Sequence, residues 1–172
     1  MAHLLEKTKH YLSQKNETPS LASMNYIEAR AMRAKLPKRL IEIPPLAKIE
    51  NRQIKMRDGA TISIRIYTPI GQGPFPMIVY YHGGGWVLND LETCHESCAQ
   101  LANVSQHIVI SVAYRLAPEY KFPIPVYDAF DSLLWTMENA NLLQGDVHQI
   151  SVAGDSAGGN LAIAVCQLYI RF

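Results

Sequence analysis

The chain has 172 residues, of which 48% are hydrophobic and 18% charged, and its formal net charge is +1. This length and composition are ordinary for a globular protein with its own core. The near-neutral charge argues against nucleic acid or an anionic membrane surface as a partner, and no apolar run approaches the ~20 residues that span a bilayer. The short apolar start is followed at once by charges, unlike a signal peptide, so we expect a cytoplasmic protein.

The first part of the chain carries two short helical patterns. Apolar residues recur at helical spacing between positions 4 and 12, and again between positions 21 and 31. Thr18-Pro19 is predicted to be the N-cap and first-turn proline of the second helix. Prolines at 37, 44 and 45 then indicate a linker.

A β-hairpin is predicted next. Ile62, Ile64 and Ile66 alternate with more polar residues, which is typical of a half-buried strand. Arg57-Asp58-Gly59 is predicted to form the turn that joins this strand to a weaker one over residues 49–56.

Three nearly continuous apolar runs follow, at 76–81, 108–113 and 150–153, and a helical pattern comes after each. Such runs are typical of strands covered on both faces. Asp90 is the predicted N-cap of the first helix, and the last helix, from Ala157, is apolar on nearly all sides and should be buried. The inner face of the middle helix carries Val126, Phe130, Leu133, Leu134 and Met137. The alternation predicts right-handed crossovers and a parallel sheet.

The three cysteines show no disulfide pattern. Cys94 and Cys98 lie four residues apart on an apolar helical stripe, which favours a place in the core. His95 does not share their face and no fourth ligand is apparent, so we predict no metal site.

A candidate nucleophile lies where the third apolar run meets the last helix. Gly154-Asp155-Ser156-Ala157-Gly158 fits G-x-S-x-G, the pattern of a sharp strand-to-helix turn that exposes a serine hydroxyl. Side chains at Gly154 and Gly158 would clash across the turn. The following helix directs its first amides at the oxygen that becomes negative during acyl transfer.

A candidate oxyanion hole follows the first apolar run, in His82-Gly83-Gly84-Gly85-Trp86. Consecutive glycines let a loop turn several N–H groups towards one oxygen. We expect donors from Gly84, Gly85 and Ala157, with Gly83 as a further candidate, and we expect His82 to anchor the loop. A dinucleotide fingerprint would need glycine at Leu88, and no Gly-Lys-Ser/Thr phosphate loop is present.

With both motifs placed, the sequence resembles the hormone-sensitive-lipase-like group of α/β-hydrolases, which includes bacterial carboxylesterases. Three stretches carry the resemblance: HGGGW at 82–86, YRLAPE at 114–119 with Phe122-Pro123 and Asp128 after it, and GDSAGGN at 154–160. The resemblance implies an α/β-hydrolase fold, a mostly parallel sheet with helices on both faces. Residues 1–45 would be a small helical cap, and residues 46–172 an incomplete core that ends after the nucleophile helix.

The resemblance also implies a serine carboxylesterase that cleaves short acyl esters without a cofactor. Ser156 would attack the ester carbonyl, and Asp155 would hydrogen-bond nearby backbone rather than act as the triad acid. The Ala117-Pro118 bond could be cis, and Trp86 with the cap helices would line the substrate pocket.

The sequence contains no candidate for the other two triad members. In this fold the order is Ser, then Asp or Glu, then His, and the sixteen residues after Ser156 include none of these. Every histidine lies upstream, and His107 and His148 precede strands, so they should lie at the opposite edge of the sheet. We therefore expect a truncated chain with impaired activity, whose unpaired strand edge leaves it weakly stable or pairs it into a homo-oligomer.

Two alternatives stay open. The chain could keep the fold without the reaction, as a catalytically inactive remnant or an interaction module. An amidase or formamidase could use the same nucleophile and oxyanion hole, because both serve any acyl transfer.

Overall fold

A computed structural model of the chain describes residues 5–15, 21–35 and 42–171. The chain divides into two compact units, residues 1–36 and 37–172. Within the described residues, no helix is both long enough and apolar enough to cross a membrane.

The described residues of the N-terminal unit form two α-helices, α1 (Glu6–Lys15) and α2 (Tyr26–Lys35), with a 3₁₀ turn at Leu21–Ser23 between them. Asn25 caps α2, because its Oδ1 accepts the N–H groups of Ile27 and Glu28. The Glu28 carboxylate accepts the Asn25 N–H in return, which completes a capping box. The predicted cap Thr18-Pro19 lies outside the described residues. The role of this unit as a cap stays a prediction.

The second unit is built on a mixed sheet of five described strands in the order β1-β2-β4-β3-β5. The three strands that follow the hairpin, β4, β3 and β5, run parallel to one another, while β1 and β2 form an antiparallel hairpin that joins β4 antiparallel. The strands are β1 (Lys48–Lys55), β2 (Thr61–Thr68), β3 (Phe75–Tyr81), β4 (Ile108–Val112) and β5 (Gly145–Gly154). The predicted hairpin and the three parallel strands are confirmed.

Helices cover both faces of this sheet, as predicted. Alternate residues of β3 and β4 point to opposite faces, because successive side chains of a strand alternate. Ile78 and Val109 pack with α3, whereas Val79 and Ile110 belong to the larger cluster that includes α4 and α5. The helices are α3 (His95–Ser105), α4 (Ile124–Glu138) and α5 (Ala157–Arg171).

Two predictions about helices were wrong. Asp90 does not cap α3, which begins at His95. Its Oδ1 accepts the N–H groups of Glu92 and Thr93 and so caps the turn before the helix. The second error concerns the burial of α5.

Helix α5 is not buried on all sides. Leu161 and Val165 are fully buried, but Ile163 and Ile170 are 63% and 84% exposed. Helix α5 packs on β5, β3 and α4, and β5 is an edge strand paired only with β3 among the described strands. The outer face of α5 is therefore uncovered within the part of the chain that the structure describes.

Candidate active site

The candidate nucleophile lies in a sharp bend between β5 and α5. Strand β5 ends at Gly154 and α5 begins at Ala157, so two residues make the turn. Ser156 is exposed and has φ +50, a left-handed conformation that a residue with a Cβ rarely adopts. Strain of this kind persists only where the surrounding structure holds it.

The two flanking glycines leave no room for side chains, as predicted. A Cβ on Gly154 would lie 2.6 Å from the carbonyl oxygen of Gly158. A Cβ on Gly158 would overlap the carbonyl oxygen of Tyr81 at the end of β3. Because both obstacles are backbone atoms, the start of α5 can approach β3 this closely only without side chains at these positions.

The triple-glycine segment follows β3 as a tight loop. Gly84, Gly85 and Trp86 all have positive φ, at 115, 62 and 60. The carbonyl oxygen of Gly84 accepts the N–H of Leu88 at 2.9 Å, which closes the turn. The carbonyl oxygen of Trp86 accepts the N–H of Ala117 at 2.8 Å, so the loop is also tied to the YRLAPE stretch.

Asp155 joins this loop to the nucleophile turn. Its Oδ1 accepts the N–H of Gly83 at 2.8 Å and the hydroxyl of Tyr80 at 2.9 Å. A Cβ on Gly83 would run into the Asp155 carboxylate, so the first glycine of the loop is required by this contact. Strands β3 and β5 are parallel neighbours, with Tyr81 opposite Gly154. The loop and the turn therefore lie side by side at the same edge of the sheet.

The bond to Asp155 corrects one part of the predicted oxyanion hole. The Gly83 N–H is committed to the carboxylate and cannot also point at a substrate oxygen. Within the described residues, no protein acceptor is found for the N–H groups of Gly84, Gly85 and Ala157. Ala157 is the first residue of α5, where the helix dipole favours negative charge.

His82 is placed to hold the loop. Its side chain is 2% exposed and stacks on the Tyr114 ring at 4.4 Å between centroids. Its Nδ1 donates to the carbonyl oxygen of Gly83 at 2.7 Å, and the Tyr114 hydroxyl donates to the carbonyl oxygen of His82 at 2.6 Å. Burial lowers the pKa of His82, so the ring is neutral near pH 7.

Two other histidines lie away from Ser156. His107 directly precedes β4, and His148 lies within β5 near its start. Parallel strands begin at the edge opposite to the one where they end, so both rings are at the wrong edge for Ser156. Among the described residues, no group of three or more His, Cys, Asp or Glu could hold a metal ion.

The YRLAPE stretch is anchored by a buried ion pair. Asp128 on α4 is fully buried and accepts three hydrogen bonds from Arg115, from its backbone N–H, its Nε and one terminal nitrogen. Arg115 also donates to Asp58 in the hairpin turn at 2.7 Å. These bonds, above all the one with Asp128, raise the pKa of Arg115. The Ala117-Pro118 bond in this stretch is cis.

A cavity of about 510 Å³ adjoins the loop, in the size range of small-molecule sites. One wall is the loop itself and another is a stripe of α5 one turn beyond Ser156. It is lined by Gly85, Trp86, Ala117, Phe122, Pro125, Val126, Asn160, Ala164, Gln167, Leu168 and Arg171.

Sequence reasoning did not find the roles of Tyr80 and Asn89. Tyr80 fixes the Asp155 carboxylate, and the Asn89 side-chain amide donates to the carbonyl oxygen of Gly83 at 3.2 Å. One signal for Tyr80 was available, because a tyrosine hydroxyl inside an apolar strand needs a partner. The signal for Asn89 was weaker: asparagine tolerates the left-handed backbone conformation that this residue adopts, at φ 73.

Comparison with known proteins finds similarity to hydrolases and esterases. A family model described as alpha/beta hydrolase fold matches residues 78–171. The chain is similar to carboxylesterase NlhH of Mycobacterium tuberculosis, with 45% identity over 143 residues, 81% of this chain and 43% of that protein. It is similar to an arylesterase of Saccharolobus solfataricus, with 42% identity over 124 residues, 72% of this chain and 40% of that protein. The chain thus spans less than half the length of these curated relatives.

Solved structures of esterases superpose on the backbone of this chain. A Pyrobaculum calidifontis esterase superposes with a TM-score of 0.81 at 38% identity, over 98% of this chain and 54% of that one. EstE1, a thermophilic carboxylesterase cloned from a metagenomic library, superposes with a TM-score of 0.78 at 38% identity, over 89% of this chain and 52% of that one.

Proposed function

This chain belongs to the hormone-sensitive-lipase-like group of the α/β-hydrolase fold family, and we propose that it carries the nucleophile and oxyanion hole of a serine carboxylesterase. One observation carries the proposal. The bond from the Gly83 N–H to Asp155, 2.8 Å long, joins the residue before Gly84 to the residue before Ser156. This bond supports the proposal that the two motifs together form one reaction centre.

In the proposed reaction Ser156 Oγ attacks the carbonyl carbon of a short acyl ester. The carbonyl oxygen becomes negative and accepts hydrogen bonds from the N–H groups of Gly84, Gly85 and Ala157. These donors are oriented before the reaction by the positive-φ loop and by the start of α5, so they need no reorganisation in the transition state. Removing one such donor typically costs ~10²–10³ in kcat.

The proposal assigns the general base and the triad acid to no described residue. His82 is buried, neutral and bonded within the loop, and His107 and His148 lie at the other edge of the sheet. Without a base the Ser156 hydroxyl stays protonated and is a weak nucleophile. Loss of triad members lowers kcat by ~10⁴–10⁶, while the oxyanion hole and binding retain roughly 10³–10⁴ over water.

The cavity beside the loop is the proposed site for the acyl or alcohol group. Trp86 lies at its border with the oxyanion donors, and its carbonyl bond to Ala117 holds it there. The apolar lining favours short hydrocarbon groups, and the names of the relatives, a carboxylesterase and an arylesterase, suggest esters as substrates.

The test is covalent labelling of the chain with a fluorophosphonate. Both Ser156 and Ser151 lie in the tryptic peptide spanning residues 122–171. Ser156→Ala removes the proposed nucleophile, and Ser151→Ala, on exposed β5, is the matched control. We expect slow labelling of wild type and Ser151→Ala on this peptide, and none of Ser156→Ala. Equal labelling of all three proteins, or of none, would contradict the proposal.

Substrate panels separate the alternative reactions. Relative to its rate in buffer, p-nitrophenyl butyrate should be accelerated more than the matching p-nitroanilide, because the proposed activity is esterase rather than amidase. Absence of labelling, together with hydrolysis no faster than in buffer, would identify a chain that keeps the fold without the reaction.

A further inference from the structure

A buried pair of thiols lies outside the candidate active site. Cys94 is the N-cap residue of α3 and Cys98 lies one turn further along, where its N–H donates to the Cys94 carbonyl oxygen at 2.9 Å. Both side chains belong to the cluster between α3 and the sheet, with exposures of 7% and 0%. Residues four apart on a helix present their side chains to the same side, so the two sulfur atoms are neighbours.

The surroundings make the two thiols unequal. Cys94 Sγ lies 3.2 Å from the hydroxyl of buried Ser111 and 3.5 Å from the carbonyl oxygen of Asp90. The neighbouring Cys98 lowers the pKa of Cys94, whereas Cys94 and burial raise the pKa of Cys98. Cys94 is thus the outer thiol of the pair and the one that is more readily deprotonated. A thiolate, not a thiol, is the form that oxidants attack.

We propose that Cys94 and Cys98 are a modification site that closes to a reversible disulfide when the protein meets a peroxide, with Cys94 oxidised first. The Cys94 thiolate attacks one peroxide oxygen, so that an S–O bond forms, the O–O bond breaks and hydroxide leaves. The Cys98 thiol then attacks the sulfenic sulfur and gives its proton to the departing oxygen, so that the S–S bond forms, the S–O bond breaks and water leaves. Overall two thiols and one hydrogen peroxide give one disulfide and two waters, and the peroxide is reduced by two electrons.

The geometry allows closure and makes the bond labile. Cβ atoms one helical turn apart are about 5–6 Å from each other, whereas a disulfide needs about 3.5–4.5 Å. Cys94 is the N-cap residue, with φ −107 and ψ 5, so closing this gap disturbs only the first helical bond, from the Cys98 N–H to the Cys94 carbonyl oxygen. Disulfides made under such strain are easily reduced, as expected of a site that responds to redox state.

The sequence offers an internal control for the test. Cys166 is exposed on α5 and carries the third thiol. With trypsin, Cys94 and Cys98 fall together in the peptide 66–115, and Cys166 falls in the peptide 122–171. The pair and the control are therefore measured separately in one digest.

The experiment treats the wild-type full chain with hydrogen peroxide and then with dithiothreitol, and Cys166 in peptide 122–171 reports the behaviour of an exposed single thiol. We expect peptide 66–115 to lose two hydrogen atoms and its reactivity to maleimide, and to regain both on reduction. In Cys98→Ala the sulfenic acid at Cys94 should be trapped by dimedone, whereas in Cys94→Ala the Cys98 thiol should persist.

Three results would overturn the proposal. The pair could oxidise only in denaturant, Cys98→Ala and Cys94→Ala could oxidise at equal rates, or wild type could go directly to sulfinic acid. Far-UV circular dichroism of both alanine variants checks that they fold, and the wild-type peptide result stands without them. None of these measurements depends on esterase activity.

Discussion

Two carboxylates on α4 allow a direct test of what burial does to an ion pair. Asp128 accepts three hydrogen bonds from Arg115, from the backbone N–H, Nε and one terminal nitrogen, at 2.9, 2.9 and 2.6 Å. Asp131, three residues later, accepts the same three kinds of bond from Arg57 at 2.8, 2.9 and 2.6 Å. The pairs differ in exposure: Arg115 and Asp128 are 13% and 0% exposed, and Arg57 and Asp131 are 45% and 11%.

Asp→Asn at each position removes the charge and keeps the shape of the side chain. Breaking a buried pair costs about 3–5 kcal/mol, because the remaining charge loses its buried partner, and Arg115 would keep only Asp58, whose side chain is 40% exposed. An exposed pair is worth roughly 0.2–1 kcal/mol. We therefore expect Asp128→Asn to lower the free energy of unfolding by about 3–5 kcal/mol and Asp131→Asn by about 1 kcal/mol or less.

Urea denaturation followed by tryptophan fluorescence measures both variants. With an m-value near 2 kcal/mol/M, the midpoint of Asp128→Asn should fall by about 2 M, and that of Asp131→Asn by less than about 0.5 M. Equal midpoints for the two variants would show that bond number, and not burial, sets the contribution. That result would refute the reasoning.

Three further predictions concern the loop and the turn. Gly158→Ala should lower the free energy of unfolding, measured in the same urea assay, by about 3 kcal/mol, because the added Cβ would overlap backbone atoms. Gly159→Ala is the control: its Cβ would lie 3.2 Å from the nearest atom, so the free energy of unfolding should change by under about 1 kcal/mol. Asp155→Ala removes the acceptor of the Gly83 N–H, so exchange of that amide measured by NMR should accelerate about 10–100-fold; an unchanged rate would contradict the bond. Burial lowers the pKa of His82 in the folded state, so stability should decline as pH falls below about 6.5, and His82→Gln should remove part of that decline. Parallel unfolding curves of wild type and variant at pH ~7.5 and ~5.5 check this, and an identical decline would exclude His82 as the cause.

Local patterns in the sequence predicted the elements that depend on neighbouring residues. The apolar run ending at Ala153 and the glycines at 154 and 158 placed the β5–α5 turn correctly, because strand, bend and helix are all encoded within a few residues. The start of α3 was misplaced since an aspartate caps a turn with the same bonds that it makes at a helix. Helix α5 lacked a polar face, so its sequence did not show which side the sheet covers.

The contacts across the site could not be predicted, because they depend on strand order. The bond between Asp155 and Gly83 exists because β3 lies beside β5, and no local pattern encodes that neighbourhood. The pairing of Arg115 with Asp128 likewise joins the loop after β4 to helix α4, where the partner residue lies thirteen positions later in the chain. The roles of Ser156 and of the oxyanion donors stay proposals that the labelling experiment addresses.

Helix α5 contributes to two parts of the site at once. It begins with Ala157, a proposed oxyanion donor, and its Asn160, Ala164 and Leu168 line the cavity further along. A helix of 15 residues is a rigid rod of about 22 Å, so a displacement at the far wall is transmitted to the first amide. Under the proposed function, size selection and chemistry are mechanically coupled: enlarging Ala164 should alter turnover as well as affinity, so a change of substrate range there would also change the rate.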